Sequence, residues 1–177
     1  QPLFTTATDA QISNIILKGV KISQAGPVGA IAGTASGYTR IYNCGILPTN
    51  NKYVAKDETS YVESTGNSAG DVTDSYCGGI VGWLKDDSRV INCFSYANIT
   101  GGSEVAGIVG YNSYASNTTK TDNNSKYGNL KTMVMNCMFY GDITFGSTKR
   151  PVYGGLKIDN NADNGINNYN YYQANRY

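Results

Sequence analysis

The sequence predicts an all-β chain wound as a right-handed parallel β-helix of about five coils with two long loop insertions, and three observations carry that prediction. A glycine phrase recurs: Cys77-Gly-Gly-Ile-Val-Gly-Trp83 is echoed by Val105-Ala-Gly-Ile-Val-Gly-Tyr111, with Ile80 and Ile108 standing 28 positions apart. An asparagine phrase recurs too, with an aliphatic residue two positions ahead of Asn14, Asn43, Asn92, Asn136 and Asn168 (Ile12, Ile41, Val90, Val134 and Ile166). Helical spacing of apolar residues is missing, while glycine supplies 21 of the 177 residues. A fixed period of this size means stacked units. With no stretch able to make a helical crossover, a coil of parallel strands remains, and such connections are almost always right-handed.

Taken in order, the coils are expected at about 1–27, 28–76, 77–104, 105–151 and 152–177, in one domain spanning 1–177. The glycine phrase marks each of them: Pro2-Leu3-Phe4-Thr5, Ala30-Ile31-Ala32-Gly33, Gly79-Ile80-Val81-Gly82, Gly107-Ile108-Val109-Gly110 and Gly155-Leu156-Lys157-Ile158. In the first coil Ile15, Leu17 and Val20 or Ile22 point inward, and Lys18 and Lys21 face solvent. The second coil opens at Val28, and an insertion rich in Asn, Ser, Thr, Asp and Glu runs from Pro48 to about Tyr76. The third coil follows the basic period. In the fourth, the insertion leaves directly after Tyr111 and returns near Met133. The fifth ends in an Asn- and Tyr-rich run read as a final rung.

Stacking gives each repeated column a physical role. Ile12, Ile41, Val90, Val134 and Ile166 form an internal aliphatic stack, each burial removing apolar area worth about 1.5–3 kcal/mol from water. Asn14, Asn43, Asn92, Asn136 and Asn168 form a corner ladder, because Asn tolerates the left-handed conformation and its amide can bond the next coil. Cys44, Cys93 and Cys137 follow in the next column and are expected inside as reduced thiols, with Cys77 in the column of Val28 and Val105.

The paired phrases Gly79-Ile80-Val81-Gly82 with Val90-Ile91-Asn92-Cys93, and Gly107-Ile108-Val109-Gly110 with Val134-Met135-Asn136-Cys137, resemble the GLUG-type repeats of secreted and surface-anchored bacterial proteins. The opening Leu3-Phe4 with Ile12-Ser13-Asn14-Ile15 is similar to the leading repeat of such arrays, although Pro2 and Thr5 stand where glycines are expected. The resemblance implies an adhesin-like extracellular or cell-surface module, or an accessory region of a large secreted peptidase.

Composition narrows the chemistry. A formal charge of +1, with 14 basic and 13 acidic residues scattered along the chain, gives no footprint for nucleic acid or a membrane surface. No apolar run reaches the length of a membrane span. The expectation is a soluble segment of a longer polypeptide, with other domains of the same chain stacked at one or both ends to cover the open edges of the coil. The absence of histidine removes Ser-His and Cys-His catalysis and the H-E-x-x-H peptidase site. Carboxylate pairs such as Asp86/Asp87 or Asp71/Asp74 would serve the alternative of a carbohydrate-active β-helix enzyme, a glycoside hydrolase or polysaccharide lyase, but Asp86-Asp87-Ser88 reads more simply as a turn.

Two kinds of binding residue stand out. Long polar loops bearing tyrosine suit recognition of a host glycan or surface protein, which points to Tyr53 and Tyr61 in the first insertion and Tyr114 and Tyr127 in the second. Asp159, Asn161 and Asp163 alternate as oxygen ligands in a partial match to a calcium loop, but Asn164 stands where that loop needs glycine and Asn170 where it needs glutamate. A turn is the default reading, and calcium is the one cofactor the sequence raises.

Overall fold

The computed structural model describes residues 1–48, 60–66, 75–101, 104–113, 133–144, 148–150 and 171–172. Among these residues there are twenty short strands and no helix. The first repeat contributes β1 (Phe4–Thr8), β2 (Gln11–Ser13), β3 (Ile16–Lys18) and β4 (Lys21–Gln24). The second contributes β5 (Ala32–Ser36), β6 (Arg40–Tyr42), β7 (Gly45–Leu47) and β8 (Tyr61–Ser64). The third contributes β9 (Tyr76–Gly78), β10 (Val81–Lys85), β11 (Arg89–Ile91), β12 (Phe94–Ser95) and β13 (Asn98–Thr100). The fourth runs through β14 (Glu104–Ala106), β15 (Val109–Ser113), β16 (Met133–Met135), β17 (Met138–Phe139) and β18 (Ile143–Thr144). β19 (Thr148–Arg150) and β20 (Tyr171–Tyr172) belong to the fifth.

These strands build five sheets, here called A to E, and every pairing is parallel. Sheet A has the order β1-β5-β10-β15, sheet B β16-β11-β6-β2, sheet C β20-β17-β12-β7-β3, sheet D β18-β13-β8-β4 and sheet E β19-β14-β9. The chain visits the sheets in the same sequence in each repeat, so a residue's neighbour in its sheet is its counterpart one repeat away. That is why the recurring phrases fall in register. Ile12 pairs with Ile41, Ile41 with Val90 and Val90 with Val134. Val105 pairs with Cys77, and an isolated bridge joins Cys77 to Val28.

The core sits inside these columns. Ile31, Ile80 and Ile108 of the glycine phrase are fully buried, as are Ile41, Val90, Val62 and Ile99. The first repeat is less enclosed: Leu3 is 49% exposed, Phe4 40% and Ile16 49%. Glycine is required where sheets A and E meet. A Cβ on Gly110 would lie 2.5 Å from the amide nitrogen of Cys77 and 2.6 Å from its carbonyl carbon, so backbone packs on backbone with no room for a side chain.

The corners repeat as faithfully as the strands. Asn14, Asn43, Asn92 and Asn136 all hold positive φ, between 52° and 59°. Asn43 Nδ2 donates to Asn14 Oδ1 at 3.3 Å and Asn92 Nδ2 to Asn43 Oδ1 at 3.4 Å, so the amide ladder forms across three repeats. Asn168 and Ile166 lie outside the described residues. At the corner after sheet A the left-handed positions are Asp9, Gly37 and Asp86. Asp9 Oδ1 accepts the amide of Tyr38 at 2.9 Å and Asp86 Oδ2 that of Gly37 at 3.0 Å, tying each corner to the next.

One expectation is corrected. The stretch from Pro48 to Tyr76 is not a single loop, because β8 lies inside it and pairs with β4 on one side and β13 on the other. Its segment is too polar to stand out by hydropathy: only Val62 is an apolar inward residue, while Ser60 and Ser64 are buried as well. Ser64 Oγ donates to the Gly26 carbonyl at 2.7 Å, which satisfies the buried hydroxyl. The flanking stretches 49–59 and 67–74 lie outside the described residues.

Candidate functional site

The strand period of two sends alternate residues of sheet A outward, and this face carries the densest group of recognition side chains among the described residues. β10 presents Trp83 and Lys85, and β15 presents Tyr111 beside Trp83 in register. The same column continues through Thr34 on β5 and Thr6 on β1. The next outward positions are Thr8 and Ser36, register partners whose Oγ1 and Oγ are hydrogen-bonded at 2.9 Å, and Lys85, two residues after Trp83 on β10. Leu84 and Ala35, between them in sequence, face the core and are fully buried.

Sheet E adds a third ring. Tyr76 stands on β9 just before the buried Cys77, so its side chain is turned outward against sheet A. Its ring stacks on Tyr111 with centroids 4.4 Å apart and planes 21° apart, and meets Trp83 edge-on at 5.3 Å. Trp83 and Tyr111 are 6.1 Å apart and tilted. Lys85 Nζ sits 4.2 Å from the centroid of the Trp83 ring, a cation–π contact. Such ring pairs stabilise their strands by about 0.5–1.5 kcal/mol each, so the cluster has a structural role. All four side chains nonetheless remain partly exposed.

This group differs from the one named from sequence. Tyr61 is on β8, in register with Lys21 and Asn98 on sheet D, and its side chain is 36% exposed on a regular strand. It is therefore a strand residue and not part of a protruding loop. Tyr53, Tyr114 and Tyr127 lie outside the described residues, as do Asp159, Asn161 and Asp163. Among the described residues no group of three or more Cys, Asp or Glu is arranged to hold a metal ion. The signal for the sheet A site was nonetheless in the sequence: both copies of Gly-Ile-Val-Gly are followed at once by an aromatic residue, Trp83 and Tyr111.

A second aromatic row starts on β12 of sheet C and continues just past the strand ends, where Phe94 meets Tyr96 edge-on at 6.0 Å and Tyr96 meets Tyr140 at 5.4 Å. The Phe94 ring occupies the space that a Cβ on Gly45 would fill, so this ring is engaged in covering its neighbour strand.

Asp86 is held by the Gly37 amide at a left-handed turn, in agreement with the turn reading, and Asp71 and Asp74 lie outside the described residues. Arg40 Nη1 donates to the backbone carbonyls of Asp87 at 2.6 Å and Thr39 at 3.1 Å. Burial lowers the pKa of that guanidinium, and the neighbouring Arg89 charge lowers it further.

Inside the corner, Cys44, Cys93 and Cys137 are buried free thiols, and Cys77 is a fourth. Each of the three column thiols points at the carbonyl two residues earlier: Cys44 Sγ to Tyr42 at 3.4 Å, Cys93 Sγ to Ile91 at 3.3 Å and Cys137 Sγ to Met135 at 3.3 Å. Burial pushes the Cys77 thiol up to about 12. The hydrogen bond with Cys137 raises Cys93 to about 12, while the same contact lowers Cys137. These residues form a packed interior column and not a nucleophile open to solvent.

Comparison of the chain with protein-family models, with characterised proteins and with solved structures finds no match.

Proposed function

We propose that this chain is a non-catalytic, right-handed parallel β-helix module of a bacterial cell-surface or secreted protein, and that it binds glycan through the outer face of sheet A. The observation that carries the binding role is the cluster of Tyr76, Trp83 and Tyr111 with Lys85 beside rows of hydroxyls. Aromatic rings offer flat apolar faces to the C–H faces of sugars, and hydroxyl and ammonium groups serve their oxygens. The β-helix reading is supported by five parallel sheets visited in constant order. The GLUG-like phrases support the surface or secreted location.

A stalk role is compatible with the same fold, and one observation favours further stacking. β1, β2, β3 and β4 each terminate their sheets, with Leu3, Phe4 and Ile16 exposed beside them. Unpaired edges of this kind take up another strand readily, so other domains of the same polypeptide are the fitting partners there.

The binding role is tested on a glycan array with the parent protein and the double variant Trp83→Ala, Tyr111→Ala. Capture by the parent and its loss in the variant, with an unchanged β-type circular-dichroism spectrum, is the expected result. Equal capture by both proteins would place recognition elsewhere, and no capture by the parent would leave the stalk role.

A further inference from the structure

We infer that the ligand of the sheet A face is an extended, unbranched glycan lying across the strands, along the direction in which the repeats stack, with successive sugars over successive repeats. The inference rests on the binding role proposed above and specifies the shape of its ligand. Tyr111, Trp83, Thr34 and Thr6 are register partners on four consecutive strands, so their side chains form one continuous row. Parallel strands lie about 4.8 Å apart, close to the length of one pyranose unit in an extended chain. A glycan laid along this row therefore meets one residue per repeat, two aromatic side chains at one end, whose ring centroids are 6.1 Å apart, and two threonine hydroxyls at the other.

The neighbouring row strengthens the match. Two residues further along the same strands, about 6.6 Å from the first row, stand Lys85, Ser36 and Thr8. Together the two rows line the two sides of a linear chain with donors and acceptors: hydroxyls that both donate and accept, and an ammonium with three donors. The same face would serve a single sugar poorly, since the rings and the Thr8–Ser36 hydroxyl pair belong to different repeats. The row is bounded at the following corner by Asp9 and Asp86, whose carboxylates are already bonded to the Tyr38 and Gly37 amides.

The chain contains one tryptophan, and it lies in this row, so its fluorescence reports on this face alone. The experiment is a titration of the intact protein with linear gluco-, xylo- and galacturonan oligosaccharides of one, two, four and six units, followed by Trp83 emission. Affinity is expected to rise by roughly tenfold between two and four units and then to level off, because the row has four positions. Thr6→Val with Thr34→Val is expected to abolish that gain.

Affinity that is independent of length, with Trp83 still responding, would overturn the extended-chain inference and leave the binding role standing. A gain with length that persists in the double threonine variant would also overturn it. Absence of any emission change while glycan capture survives Trp83→Ala would overturn both readings, as would failure of every oligosaccharide to bind.

Discussion

Val90 shows what a single column position is worth. It is fully buried between Ile41 and Val134 in adjacent repeats, so Val90→Asp places a carboxylate inside an aliphatic column. Loss of more than about 3 kcal/mol of stability is expected, read as a fall in the urea midpoint. A midpoint equal to the parent's would show that this side chain faces water. The cysteines make a second residue-scale prediction. The denatured chain should titrate four thiols without prior reduction, and fewer would reveal a disulfide. Cys77 and Cys93 are held up to about 12 against an ordinary value near 9, so the fold favours their protonated forms. The stability this contributes is intact below about pH 9 and is lost as the pH rises toward 12. Cys137 shifts the other way, so the alkaline loss rests on the raised thiols. Urea midpoints measured at pH 8, 9.5 and 11 should therefore fall, and less steeply in Cys77→Ala; parallel slopes in the two proteins would rule Cys77 out as a source.

At the scale of the element, β8 is the instructive case. The entropy of closing a loop grows only logarithmically with its length, so trimming a bare insertion costs about 1 kcal/mol or less. Residues 50–74 are not a bare insertion. Replacing them with a short Gly/Ser link would delete β8, leave β4 and β13 without their shared partner and remove the fully buried Val62. A drop in thermal midpoint well beyond that of Val62→Ala is expected by differential scanning calorimetry. Retention of the parent's midpoint would mean that sheets A, B and C alone carry the stability. The corner elements were easier to foresee, because Asn at a left-handed position and Gly at a backbone-to-backbone contact are demanded by local geometry.

For the whole molecule, stacking makes stability a matter of neighbours. Each repeat touches the one before and the one after, and an end repeat has one partner fewer. Burial follows that rule: Ile12, Val20 and Ile22 in the first repeat keep 6–8% of their surface, whereas Ile41, Val62, Val90 and Ile99 keep none. Hydrogen exchange followed by mass spectrometry should show β1 to β4 losing protection first and β10 to β12 last. Uniform exchange through all repeats would mean that the stack opens as one unit. The predicted gradient also ties stability to function, since the aromatic half of the proposed glycan row lies on β10 and β15 and the hydroxyl half on β1 and β5.

The sequence by itself determined what recurs. Parallel stacking places equivalent residues on top of one another, so each buried column and each left-handed corner imposes the same residue class once per repeat. The Ile12–Ile41–Val90–Val134 column, the asparagine ladder and the cysteine column were legible for that reason. Tertiary structure decided what does not recur. β8 is held by pairing on both sides and by inward serines whose hydroxyls find partners only in the fold, so its polar sequence gave no strand signal. The sheet A face likewise needed the fold: Trp83 and Tyr111 share a repeat position, but Tyr76 comes from another sheet. Only the close glycine-lined junction of sheets A and E brings its ring to 4.4 Å from Tyr111.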